Sequence, residues 1–164
     1  MKKKSLNYFV SAYKEILKNG DVQVAYAKLV KYVQTLKTVF SKDLSDTYSV
    51  GAVFQGYMDY TYFYLSNDFL KDKRLKLGLV FNHAHIRFEV WLLGQTKDAQ
   101  AKYWKLLRNT KWINGSEMPQ YSIFEVVLVN NPDFNDLDKL TENIKNKLIS
   151  VAEDIFTSIL LVDR

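Results

Sequence analysis

Apolar positions first recur at helical intervals and then, from Val50, at intervals of two, so the chain divides into a helical start and a sheet-forming middle. Leu6, Phe9, Tyr13, Ile16 and Leu17 form the first stripe, with Ser5 as its cap and Asn19-Gly20 as its stop. Asp21 caps a second helix whose stripe is Val22, Ala25, Leu29, Val33, Leu36 and Phe40. So short a link predicts an antiparallel helical hairpin with both stripes given to the core.

Val50 to Leu65 is crowded with Phe54, Tyr57, Tyr60, Tyr62, Phe63 and Tyr64, residue types that favour strands, and the spacing predicts one long strand. Its even positions (Ala52, Phe54, Met58, Tyr60, Tyr62) form an apolar face, and Gln55, Tyr57, Asp59 and Thr61 form a polar one. Leu75, Leu77, Leu79 and Phe81 then alternate with polar or small residues, and after His83-Ala84 the apolar set becomes Ile86, Phe88, Val90 and Leu92. That parity switch predicts a tight hairpin with Leu79 facing Phe88, Leu77 facing Val90, Gly78 facing Glu89 and Lys76 facing Trp91.

Gly94 ends the hairpin, Thr96 caps a helix reaching about Arg108, and residues 109–120 read as a loop. Tyr121 to Val129 is apolar on both faces apart from Glu125, which predicts a central strand. A long helix starting at Asn135 or Asp136 follows, with Leu137, Leu140, Ile144, Leu148, Val151, Ile155 and Ile159 as its stripe. The expected fold is α+β: a four-stranded, mostly antiparallel sheet with an N-terminal helical hairpin and a long C-terminal helix, in the order αα-βββ-α-β-α.

Composition adds limits more than clues. A chain of 164 residues, 48% apolar and 25% charged, fits one globular domain over residues 1–164. The lack of cysteine excludes disulfides, thiolate nucleophiles and cysteine-bound zinc, and is compatible with a reducing cytoplasm. Met1-Lys2-Lys3-Lys4 is followed by apolar positions that Asn7, Ser11, Lys14 and Glu15 soon interrupt, so neither a secretory signal nor membrane association is expected. The net charge of +5 permits nucleic acid as a partner, but most lysines fall on the predicted wet faces of helices.

The chemistry-bearing residues are the ionisable groups that interrupt strand-like patterns. Gln55, Tyr57, Asp59, Arg87, Glu89 and Trp91 are expected to share one sheet face and bind a small polar or anionic ligand, Arg87 contacting the anion and Glu89 or Asp59 accepting hydrogen bonds. The competing account of Asp59, Arg87 and Glu89 is a structural ion-pair network inside a protein-interaction module. His83-x-His85 has a spacing used by some metal sites but falls in the predicted turn, and Tyr103, Trp104 and Trp112 are expected to anchor a loop to the core. No phosphate-binding glycine loop, serine nucleophile elbow or zinc-protease pair is present, so no cofactor is expected.

Two resemblances extend this reading. The element order αβββαβ resembles the core of the restriction-endonuclease-like superfamily, in which strand carboxylates and a Glu-x-Lys hold Mg²⁺ and orient water. That resemblance implies a degenerate nuclease or phosphodiesterase using Asp59 and Glu89, with Lys76 in place of the lysine where this chain has Trp91. The strings Gln55-Gly56-Tyr57-Met58-Asp59-Tyr60-Thr61-Tyr62-Phe63, Arg87-Phe88-Glu89-Val90-Trp91-Leu92, Tyr103-Trp104-Lys105 and Asn131-Pro132-Asp133-Phe134 are similar to those of a family of small bacterial proteins of unknown function. This second resemblance implies a cytoplasmic single-domain protein and no particular chemistry.

Overall fold

The computed structural model describes residues 3–164. The chain runs α1 (Leu6–Leu17), α2 (Asp21–Asp43), β1 (Ser49–Val50), β2 (Tyr60–Ser66), α3 (Asp68–Asp72), β3 (Leu75–Asn82), β4 (Arg87–Gly94), α4 (Lys97–Leu107), β5 (Phe124–Asn130) and α5 (Leu137–Val162). The five strands form one antiparallel sheet in the order β1-β2-β3-β4-β5. The class is α+β, with five strands where four were expected.

The fifth strand comes from a hairpin hidden in the tyrosine-rich run. Residues 49–54 turn back along β2, Gly51 N–H donating to the Tyr64 carbonyl and Phe54 exchanging both backbone hydrogen bonds with Tyr62. Two left-handed residues make the reversal, Gly56 at φ 74° and Met58 at φ 60°. A Cβ on residue 56 would lie 1.9 Å from the Tyr60 carbonyl oxygen, so only glycine fits that position. Asp59 closes the turn by accepting the Tyr57 and Tyr60 amides on Oδ1 at 2.8 and 2.7 Å.

The hairpin β3–β4 forms with the expected parity but slipped by two residues. Leu79 pairs with Val90, Leu77 with Leu92, Gly78 with Trp91 and Lys76 with Leu93. Its loop is four residues, 83–86, because the Asn82 side chain accepts the His85 amide and Ile86 closes the turn at φ 46°. A slip of two preserves the facing of every side chain.

Phe63, Leu65, Leu75, Leu77, Leu79, Phe81, Phe88, Val90 and Leu92 form the core face, where they meet buried residues of the helices. The C-terminal half of α2 supplies Val33, Leu36 and Phe40, and α5 supplies Leu140, Ile144, Leu148, Ile155 and Ile159. Tyr103 and Leu107 of α4 join this core. Trp112 stacks on Phe124 at 5.3 Å and donates to Ser158, while Trp104 packs against the same core. The long connection after α4 is thereby fixed to the body.

Three local features differ from expectation. The five-residue α3 begins at Asn67, whose side chain accepts the Leu70 amide; Asn67-Asp68 is a cap signal that the surrounding strand pattern obscures. Strand β5 lies at the sheet edge, not its centre, and its apolar look reflects a bulge: Phe88 pairs with Val129 and Glu89 with Val127, so Leu128 is an extra residue and both Leu128 and Val129 are buried. Helix α1 buries none of its residues, so its stripe is not given to the core.

Asp163, at the end of α5, accepts Tyr103 Oη at 2.5 Å, Lys73 Nζ at 2.9 Å and Lys102 Nζ at 3.2 Å, tying α5 to α4 and the β3 entry. The Tyr103 and Lys73 hydrogen bonds hold its carboxyl well below the usual carboxylate range. A folded-state pKa below the unfolded one makes this clamp fully effective above about pH 4 and progressively lost as pH falls. The melting temperature is expected to fall less steeply on acidification in Asp163→Asn than in the parent; parallel acid slopes in thermal melts would refute this.

Candidate ligand-binding site

Among the described residues, α2, α4 and α5 pack their clustered buried side chains against the core face, and the apolar cluster on the opposite sheet face is made of strand residues alone. The cross-strand rows of that opposite face read Tyr64, Gly78, Trp91, Glu125, then Tyr62, Val80, Glu89, Val127, then Tyr60, Asn82, Arg87, Asn130. The even tyrosines of β2 therefore share a face with Arg87, Glu89 and Trp91. The odd residues Thr61, Phe63 and Leu65 point into the core, the reverse of the assignment made from apparent polarity.

On this face Val80, Trp91 and Leu93 form a second apolar cluster, walled by Tyr60, Tyr62 and Tyr64. Tyr60 meets Trp91 edge-on at 4.9 Å, and Tyr62 stacks on Phe54 at 5.1 Å. Gly78 sits between Tyr64 and Trp91 in the register, and the Leu93 and Tyr64 side chains close over it, 3.2 and 3.7 Å from where a Cβ would lie. The result is a cleft of about 440 Å³, lined also by Lys76 and by Tyr57, Asp59 and Tyr121 from the flanking loops. That size suits a small organic molecule.

Lys76 supplies the cleft's cation. Its ammonium lies 3.8 Å from the centre of the Tyr64 ring, and burial lowers its pKa. Among the described residues no acid lies within ion-pair distance of Lys76. Burial also pushes the Tyr64 hydroxyl up to about 12, aided by Tyr62, so the Tyr64 phenol acts as a neutral group at physiological pH.

The expected trio of charges does not assemble. Glu89 is wholly buried and accepts from Arg87 Nε and Asn82 Nδ2 on Oε1, and from Trp91 Nε1 at 2.7 Å on Oε2. Asp59 is spent on its own turn, where the Tyr57 and Tyr60 amides lower its pKa. Gln55 points away, toward the Tyr26 hydroxyl of α2. Of the residues expected to bind a ligand, Tyr57, Asp59 and Trp91 line the cleft, whereas Gln55, Arg87 and Glu89 do not.

Glu125 lies across from Trp91; desolvation and the Glu89 carboxylate raise its pKa, and Ser122 and Arg87 oppose the rise. His83 is packed between Tyr26 and Phe81 with Nε2 2.7 Å from Thr61 Oγ1, and burial lowers its pKa, while His85 is exposed. Among the described residues no three His, Asp or Glu side chains come together as a metal-holding group.

A family model described as "Domain of unknown function (DUF7000)" matches residues 6–159. The chain belongs to this family. The match takes in both the residues that line the cleft and the whole of α1. Neither a curated protein nor a solved structure matches the chain.

Tyr60, Tyr62, Tyr64, Leu93 and Tyr121 escaped the sequence reading of the site. The signal for the first three was present, since three tyrosines spaced by two must share one face.

Proposed function

We propose that this protein binds a small flat molecule bearing one anionic group in the tyrosine-walled cleft. The carrying observation is Lys76, a half-buried ammonium over an aromatic ring with no acid beside it. An ammonium in that position has lost hydration without an ion pair in return, and an anion arriving there restores the balance. The aromatic walls supply stacking area to the rest of the molecule.

The arrangement favours a single anion over a nucleic acid chain. The open face and its rim carry Asp59, Glu89 and Glu125 against Lys76 and Arg87, and a strand-tracking groove needs a run of uncompensated cations. A metal-dependent nuclease finds less support: Lys76 stands across from Leu93, Asp59 closes a turn, and Glu89 is saturated by three donors.

Calorimetric titration with benzoate and naphthoate, each against its neutral amide, tests the reading. The acids are expected to bind better than the amides, and Lys76→Met to weaken the acids by about ten-fold while leaving the amides unchanged. Equal binding of acids and amides, or none by either, would overturn it. A short oligonucleotide that binds more tightly than the acids, with steep salt dependence, would replace it with a nucleic-acid function.

A further inference from the structure

Helix α1 presents an apolar stripe that, apart from the half-buried Leu17, no other described residue buries. Leu6, Phe9, Val10, Tyr13, Ile16 and Leu17 fall within an arc of about 120° at helical spacing. Leu6 is 75% exposed and Tyr13 65%, while Phe9, Val10 and Ile16 each exceed half. Single exposed apolar residues are ordinary, but five large ones on one face of a twelve-residue helix form a contiguous patch.

The surrounding charge says what covers it. Residues 3–18 hold Lys3, Lys4, Lys14 and Lys18 against the single acid Glu15. Lys14 borders the apolar arc, Lys4 folds over Tyr8 with Nζ 2.8 Å from its hydroxyl, and Glu15 lies on the far side of the helix. A second copy of this helix would bring lysines against lysines whether it packed parallel or antiparallel. An anionic lipid surface meets both features at once, taking the stripe into the headgroup boundary and the lysines against phosphate.

We infer that α1 is a membrane-surface anchor, lying in the plane of an anionic bilayer with Leu6, Phe9, Val10, Tyr13 and Ile16 downward. This is peripheral attachment; no helix among the described residues is long and apolar enough to cross a membrane. It is independent of the cleft.

Flotation of the full chain with vesicles tests the inference, comparing phosphatidylcholine alone with phosphatidylcholine plus phosphatidylglycerol. The protein is expected to float with the anionic vesicles, to stay behind with the zwitterionic ones, and to be released by high salt. Phe9→Glu/Ile16→Glu is expected to abolish flotation with an unchanged melting temperature, because α1 buries nothing. Each lysine at an anionic surface contributes about five-fold in partitioning, so Lys14→Glu/Lys18→Glu is expected to weaken binding by about 25-fold or more. Failure to float, or equal flotation on both vesicle types, would overturn the inference. So would a lipid-free dimer that Phe9→Glu/Ile16→Glu disperses, since a second copy would then own the stripe.

Discussion

Glu89→Ala is expected to destabilise the domain by about 2–4 kcal/mol, the cost of leaving the buried donors of Asn82 and Trp91 without their acceptor and Arg87, which is partly exposed, without its partner. Three donors converge on this carboxylate, from Arg87, Asn82 and Trp91, and alanine leaves all three without an acceptor. The Trp91 indole would also lose the bond that fixes its ring as a wall of the cleft. Glu89→Gln separates charge from shape. One amide oxygen can serve part of the network, but its NH₂ must then face a donor, so a loss of about 1–3 kcal/mol is expected. Urea denaturation of both variants checks this, and an alanine variant as stable as the parent would show that the network contributes nothing.

The second large effect contrasts neighbours on one strand. Phe63→Ala is expected to cost about 3–5 kcal/mol, because Phe63 is fully buried in the core and meets Phe40 edge-on at 5.7 Å. Tyr62→Ala, one residue earlier, is expected to cost about 1 kcal/mol, the worth of its aromatic contacts on the open face. Its larger consequence falls on naphthoate binding, which should drop sharply. Equal destabilisation by the two substitutions would mean that the tyrosine face is covered and the cleft is not available.

Most of the fold was legible because long periodic stripes leave little choice. Ser5, Thr96 and Asp136 are side-chain caps of the helices they precede, and the α5 stripe from Leu140 to Ile159 packs as its spacing indicated. The failures sit where a turn competes with a strand pattern. Gly56 and Asp59 are turn residues, but the aromatics on either side read as one continuous strand, and the missed reversal changed which positions were thought to face the site. Asn82 extended the next hairpin by holding the His85 amide, a side-chain contact that alternation cannot reveal. In the sequence Lys76 stands out only as a stand-in for a nuclease lysine; its position over Tyr64 depends on the β2–β3 register, which pairs Tyr64 with Gly78 and which the alternation within each strand leaves open. The bulge at Leu128 made an edge strand look central, since two consecutive buried residues mimic a strand enclosed on both faces.

Every strand in this sheet pairs with the one made just before it. As the chain leaves the ribosome, each new strand finds its partner already waiting, and the sheet extends in the direction of synthesis without a long-range search. Helix α5 is made after all five strands, so the nascent sheet holds part of its greasy underside open until that helix emerges, and that interval is when a chaperone has most to protect.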